Sequence, residues 1–312
     1  MVSEKIFADN VKETENGPSG SGIANGEEAA IAAPLATIAA PGLFSLSART
    51  IIVTGAARGL GLTIAHALVE SGSDVVCLDI LPAPVEPQWS QVVQSANQRG
   101  LKLTYSHLNV TDASQVTSAF ESAFASARPS HPVRGLLHCA GIQLLKDALE
   151  VEPEKFRQVI DVNLTGSFLV SQAFAREWLS KNPSANGSAG GNGASIVLIG
   201  SMSGHIANFG LENAVYNASK AGVNQLVRNL AYEWSRRGLR INSISPGYIR
   251  TAMTAALFDE RPYLPELWTK ASLLGRLSTP DEFRGPAIYL LSDASSFMTG
   301  ADMLVDGGHT AH

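Results

Sequence analysis

From residue 50 to residue 245 the chain repeats one rhythm: a short β-branched run, a helix-length segment, then another run. The runs are Ile51 to Val53, Asp74 to Leu78, Leu101 to Tyr105, Gly135 to His138, Ser195 to Ile199 and Arg240 to Ile244. Strands alternating with helices build βαβ units, whose right-handed crossovers lay the strands parallel and put helices on both faces. The expected fold is therefore α/β, a single doubly wound parallel sheet. The carboxyl ends of its strands lie along one edge, where ligands bind, so the residues after each strand carry most of the functional information.

After the first run comes Thr54-Gly55-Ala56-Ala57-Arg58-Gly59-Leu60-Gly61, then a helix expected near 60–71. Gly55, Gly59 and Gly61 allow a tight turn and close approach of backbone to a pyrophosphate. The free N–H groups from Leu60 onward and the positive end of the helix dipole point at that anion. A plain βα turn would use some of the same residues. The second run sharpens the reading, because it ends in Asp79, 18 residues after Gly61. A carboxylate at this spacing accepts hydrogen bonds from the ribose hydroxyls of a dinucleotide. The sheet is thus expected to be of the Rossmann type. Asp79 repels a 2′-phosphate and favours NAD. Arg58 can pair with that phosphate and leaves NADP open.

Tyr216 and Lys220 stand at i and i+4, on one face of a helix. Taken alone they would be an ordinary surface pair. The strand before them ends in Ser201-Met202-Ser203-Gly204, at the ligand edge. A further helix, led by Pro153, carries Phe156, Ile160, Leu164, Phe168 and Leu169 at helical spacing, and the polar Asn163 falls among them. That amide is either satisfied in the core or aimed at a site.

With these pieces in place, the sequence resembles the short-chain dehydrogenase/reductase superfamily from about residue 44 to its end. The matching stretches are TGAARGLG, the strand ending in Asp79, DVNLTGSF around Asn163, IGSMSG, YNASK, ISPGYIRT and TGADMLVDGG. Ile199 to Gly204 and Tyr216 to Trp234 are similar to fungal NAD-dependent polyol dehydrogenases of the D-arabinitol 2-dehydrogenase kind. The resemblance implies a catalytic tetrad. Tyr216 is its general acid/base, Lys220 lowers the tyrosine's pKa and holds the nicotinamide ribose, Ser201 bonds the reacting oxygen, and Asn163 anchors a relay water. A free tyrosine titrates near 10, so action at neutral pH needs about 3 units, roughly 4 kcal/mol. One positive charge about 4 Å away at an effective dielectric of 20 supplies about that much.

Ser203 lies 13 residues before Tyr216 and Ser201 lies 15; Ser201 is preferred because it sits three residues before Gly204. Asn109, Ala140, Gly141, Pro246, Ile249 and Thr251 are implied as further cofactor contacts. The family's Asn-Asn-Ala-Gly is replaced by His138-Cys139-Ala140-Gly141. His138 is read as a structural substitute, with no metal site, since no second ligand lies at ligand spacing from it. The resemblance implies that residues 249–276 close over the substrate; Phe258, Tyr263 and Trp268 within them belong to that lid or are packing or interface residues. Ser203, His205 and Asn208 lie in a polar loop suited to a hydroxylated substrate, or are simply surface.

The expected reaction is hydride transfer between the nicotinamide and a secondary alcohol or ketone, in a polyol/ketose pair such as D-arabinitol/ribulose. The alternatives are an NADP-dependent ketone reductase of secondary metabolism and a non-catalytic NAD-binding sensor or scaffold. A homodimer or homotetramer built on the helices of Asn163 and Tyr216 is implied.

Composition sets the remaining bounds. Residues 1–46 carry two lysines against six carboxylates, most of the net charge of −5. They read as a disordered acidic extension ahead of a domain at 47–312. A near-neutral body excludes a nucleic-acid or anionic-membrane surface. Residues 183–194, PSANGSAGGNGA, read as a flexible insertion. Two cysteines exclude a disulfide framework, and no run spans a membrane, so a cytoplasmic setting is expected.

Overall fold

The structure is a computed structural model that describes residues 38–185 and 193–311. One packed unit spans Ala40–His312. Its seven strands are β1 (Thr50–Thr54), β2 (Asp74–Asp79), β3 (Leu103–His107), β4 (Val133–His138), β5 (Ala194–Ile199), β6 (Leu239–Pro246) and β7 (Asp302–Val305). They form a single parallel sheet in the order β3-β2-β1-β4-β5-β6-β7. This is the Rossmann-type α/β sheet expected from the sequence, with one strand added. β7 pairs with the end of β6, Ser243 opposite Asp302 through Pro246 opposite Val305. The sequence reading missed it because the short Met303–Val305 run lies at the edge of the chain's repeating pattern, between Gly300 and Gly307.

The helices are α1 (Gly59–Glu70), α2 (Gln88–Gln98), α3 (Ala113–Ser126), α4 (Pro153–Ile160), α5 (Gly166–Lys181), α6 (Ala214–Trp234), α7 (Ala252–Glu260), α8 (Leu264–Ala271) and α9 (Arg284–Leu291). Successive strand residues feed opposite layers. Ile52, Leu136 and Ile196 pack with Phe120, Phe174 and Val223 of α3, α5 and α6. Ile51, Leu137 and Val197 pack with Leu68 of α1 and Leu290 of α9. The central strands are buried on both faces, as a sheet sandwiched by helices requires.

The helix expected from Pro153 onward is not continuous. A π-helical turn, Asp161–Thr165, separates α4 from α5, and the N–H of Gly166 reaches back to Asp161 O. Single π turns accommodate one extra residue and re-aim the side chains around them. Asn163 lies within it, buried.

Packing begins slightly ahead of the expected boundary at residue 46. Ala40–Phe44 forms a 3-10 turn, and Leu46 is fully buried with its N–H on Ser71 O. The rest of the expected extension, residues 1–37, and residues 186–192 of the expected insertion lie outside the described residues. Among the described residues no helix is long and apolar enough to cross a membrane.

Candidate active site

The glycine turn is pressed against the end of β4. Gly55 has φ +67°, and a Cβ there would lie 2.6 Å from Ala140 N. Only glycine satisfies both conditions. α1 begins at Gly59 with no side chain capping it, so its first N–H groups are left for another acceptor, which suits an anion. Asp79 closes the same corner. Its Oδ2 accepts from Ala57 N at 2.9 Å and its Oδ1 from Leu81 N at 3.0 Å. The Val85 N–H donates back to Ala57 O at 2.9 Å, so the segment after Asp79 clasps the turn. Arg58 is exposed at its rim. Asn109 is less available than expected, because its Oδ1 accepts from both the N–H and the hydroxyl of Thr111.

At the same strand edge lies the second cluster. Lys220 is buried, and its Nζ donates to Ile199 O at 2.7 Å. A Cβ on Gly141 would lie 3.3 Å from Asn163 Oδ1 and 3.6 Å from Lys220 Nζ, so Gly141 marks where the β4 loop meets both residues. Asn163 holds that loop by a reciprocal pair: Nδ2 donates to Ile142 O at 2.9 Å, and Oδ1 accepts from Ile142 N at 2.8 Å. Nδ2 also donates to Ser219 Oγ at 2.9 Å. The side chain thus ties the β4 loop to α6.

The Ser201 side chain lies close enough to the Tyr216 phenol to lower its pKa. Ser203 is buried alongside, and its N–H donates to Ser201 Oγ at 3.1 Å.

Two electrostatic findings revise the simple picture of a lysine that lowers its tyrosine. Burial pushes the Tyr216 phenol up, and the bond from Ser201 opposes that. Burial brings the Lys220 ammonium down to about 8. Lys220 Nζ lies 5.7 Å from the Tyr216 ring centroid and donates to Ile199 O.

His138 is buried with Nδ1 2.6 Å from Thr54 Oγ1, and its Nε2 has no hydrogen-bond partner. Burial, with help from the Lys220 charge, brings its pKa down to about 3. The unfolded chain binds a proton near pH 6.5 that the folded chain refuses until about 3. Stability is therefore full above pH 6.5 and falls as the pH drops below it, by about 2 kcal/mol at pH 5. Replacing His138 with Asn is expected to narrow the Tm difference between pH 7.5 and pH 5.0 by about 5 °C. An unchanged difference in thermal denaturation would refute this account.

In the polar loop after Ser201, Asn208 is buried while His205 and Glu212 stay exposed, and each of the three has partners within the chain. His205 Nε2 lies 2.7 Å from Asp302 Oδ2 and 2.8 Å from Asn224 Nδ2. Asn208 is buried and bonded to Tyr248, Asn213 and Asn217. Glu212 pairs with Arg261 at 2.8 Å. Asn208, as a buried polar group, needs such partners; two of them are near in sequence, and Tyr248 is 40 residues on. Phe209, by contrast, is 80 % exposed.

Pro246 ends β6. Ile249 bridges to Ser278, and Thr251 caps α7 with a reciprocal Thr254 bond. Sequence reasoning missed Tyr248, which stacks on Trp268 at 3.7 Å between centroids; its only signal was an aromatic directly after Pro246-Gly247. Among the described residues no group of three His, Cys, Asp or Glu is placed to hold a metal.

The fold and this edge define a dinucleotide-type α/β protein with a Ser–Tyr–Lys cluster. Residues 55–310 match a family described as enoyl-(acyl carrier protein) reductase. A short-chain dehydrogenase/reductase, notP′, of Aspergillus versicolor is 48% identical over 86% of this chain and 89% of its own. A ribulose-forming D-arabinitol 2-dehydrogenase of Candida tropicalis is 33% identical over 85% and 94%. The crystal structure of a gluconate 5-dehydrogenase from Burkholderia cenocepacia, in complex with NADP and tartrate, superposes with a TM-score of 0.74 at 30% identity, covering 86% of this chain and 98% of that one. The chain belongs to the short-chain dehydrogenase/reductase family and is an NAD(P)-dependent enzyme acting on CH–OH groups.

Proposed function

We propose that the protein interconverts a secondary alcohol and a ketone, using NAD, on a polyol/ketose pair such as D-arabinitol and ribulose. The observation that carries the reaction is the grouping at the strand edge of Tyr216, Ser201, which acts on its phenol, and Lys220, whose Nζ lies 5.7 Å from its ring. Gly55 to Gly61 and the open start of α1 would hold the pyrophosphate, and Asp79 the adenosine ribose hydroxyls. Tyr216 and Lys220 would hold the second ribose, with Ile249 and Thr251 beside the carboxamide. A bound nicotinamide supplies or accepts the hydride. Tyr216 gives its proton to the carbonyl oxygen in reduction and takes it back in oxidation. Ser201 donates to that oxygen, and Asn163 keeps α6 and the β4 loop in register.

The preference for NAD rests on Asp79, anchored by two backbone N–H groups, and on the lack of a basic residue between Ile80 and Gln98. Asp79→Ala is expected to lower the NAD/NADP ratio of kcat/KM by about 10- to 100-fold, the worth of a charge-assisted hydrogen bond. Native preference for NADP would overturn the assignment.

The substrate reading rests on the Candida tropicalis relative. The first test is NADH formation with D-arabinitol and other pentitols and hexitols, with Tyr216→Phe as control. Turnover by the native protein alone supports it. A second reading, an NADP-dependent ketone reductase for bulkier substrates, is favoured by exposed Phe209 and by the engagement of Asn208 with protein partners. No turnover of any polyol, with cofactor bound, would select it.

Exposed Leu149, Phe156 and Phe168 on and beside the Asn163 helices support a homo-oligomer. Two free cysteines fit a cytoplasmic setting.

A further inference from the structure

Three elements of the site meet at one buried amide. Asn208 Nδ2 donates to the Tyr248 hydroxyl at 3.2 Å. Its Oδ1 accepts from Asn213 Nδ2 at 3.0 Å and from Asn217 Nδ2 at 3.1 Å. Asn213 is the N-cap position of α6, and Asn217 directly follows Tyr216. Tyr248 lies face to face on Trp268, with 4° between the ring planes, and Trp268 is the buried anchor of α8.

Two more contacts join the same loop to the same region. Gly210 has φ +81°, and a Cβ there would lie 2.8 Å from Leu267 Cδ2 of α8. Glu212 is paired with Arg261, in the link between α7 and α8. The loop is thus wedged between α8 and the start of α6.

We propose that Asn208 is a positioning residue that couples the seating of α8, as a lid, to the first turn of α6, so that Tyr216 and Lys220 are in register when α8 is down. This rests on the reading of Tyr216 as acid/base and of 249–276 as the closing segment. An amide suits this junction, since one side donates to a phenol while the other accepts from two amides. Leucine, similar in size, removes all three contacts and leaves the Asn213 amide and the Tyr248 hydroxyl short of a partner, while Asn217 keeps Ile206 O. Aspartate keeps all three contacts, because its carboxylate accepts from Asn213 and Asn217 and also from the Tyr248 hydroxyl.

The test is hydrogen exchange on the full chain, with NADH and NADPH each added in turn and binding followed by nucleotide fluorescence. In the native protein, the bound nucleotide is expected to slow exchange at 214–220 and at 264–271 by about 10-fold each. In Asn208→Leu the slowing is expected to persist at 214–220 and to fall below about 2-fold at 264–271. Asn208→Asp at pH 7.5 restores it. Tyr248→Phe, which keeps the ring stack and deletes the hydroxyl, uncouples α8 as Asn208→Leu does, and decides the matter if the leucine variant does not fold. Slowing of α8 that survives in Tyr248→Phe, or that Asn208→Asp fails to restore, overturns the proposal. So does native protein that binds nucleotide without slowing α8. If the native protein binds neither nucleotide, the cofactor reading falls and this proposal with it.

Discussion

Replacing Tyr216 with phenylalanine is expected to lower turnover by about a thousandfold, within the range that a positioned general acid/base contributes, while nucleotide affinity changes by no more than about threefold. Phenylalanine keeps the ring that lies near Lys220 Nζ and removes only the hydroxyl beside Ser201. Packing and the local cation are therefore preserved, and the loss reports proton transfer. The pH dependence should have a definite sign. Burial pushes the Tyr216 phenol up, so the protonated acid needed for ketone reduction prevails at neutral pH. Alcohol oxidation needs the phenolate, and its rate should climb as pH rises from 7 to 10 while reduction declines. Lys220, which burial brings down to about 8, loses its charge within that range and should flatten the rise, because a neutral amine no longer favours the phenolate. Steady-state rates in both directions, with fluorescence titration of NADH, check all of this. A phenylalanine variant retaining more than about a tenth of native turnover would remove Tyr216 from the chemistry. It would also revive the idea of a nucleotide-binding scaffold.

Which features could be read from the sequence follows from how local their causes are. The Gly55–Gly61 turn and Asp79 sit at the ends of adjacent strands, and the parallel pairing of β1 with β2 brings them together whatever the rest of the chain does. Tyr216 and Lys220 share a helix face by spacing alone. The π turn at Asn163 was not visible, since Gly166 just after it also fits an unbroken helix and nothing in the apolar pattern marks an inserted residue. Polarity in the loop after Ser201 was plain, but its direction was not. His205 finds Asp302, 97 residues on, and Asn208 finds Tyr248, 40 residues on. No local pattern encodes such partners. The same limit explains Lys220. Its spacing from Tyr216 places it on the right face, and only the tertiary fold shows that Ile199 O takes its ammonium.

The largest structural penalty is expected at Gly61. A Cβ there would lie 2.1 Å from Gly55 O, 2.8 Å from Gly55 C and 3.2 Å from Ala56 Cα. All three are backbone atoms of the turn, so no side chain can swing aside to relieve the clash. α1 itself must lift, and it buries Leu62, Ile64, Ala65 and Leu68 against the sheet. Lifting it exposes apolar surface and withdraws the N–H groups offered to the pyrophosphate. Gly61→Ala should therefore cost about 3 kcal/mol or more and weaken NADH binding by about 100-fold. Gly59 is the control. It has φ +55° with nothing within 4 Å of a Cβ, so alanine there meets only the backbone strain of a left-handed residue, about 1 kcal/mol. Thermal denaturation and NADH titration of the two variants separate close contact from conformation. If Gly61→Ala matched Gly59→Ala in both, the close approach of helix to turn would have no part in building the nucleotide site.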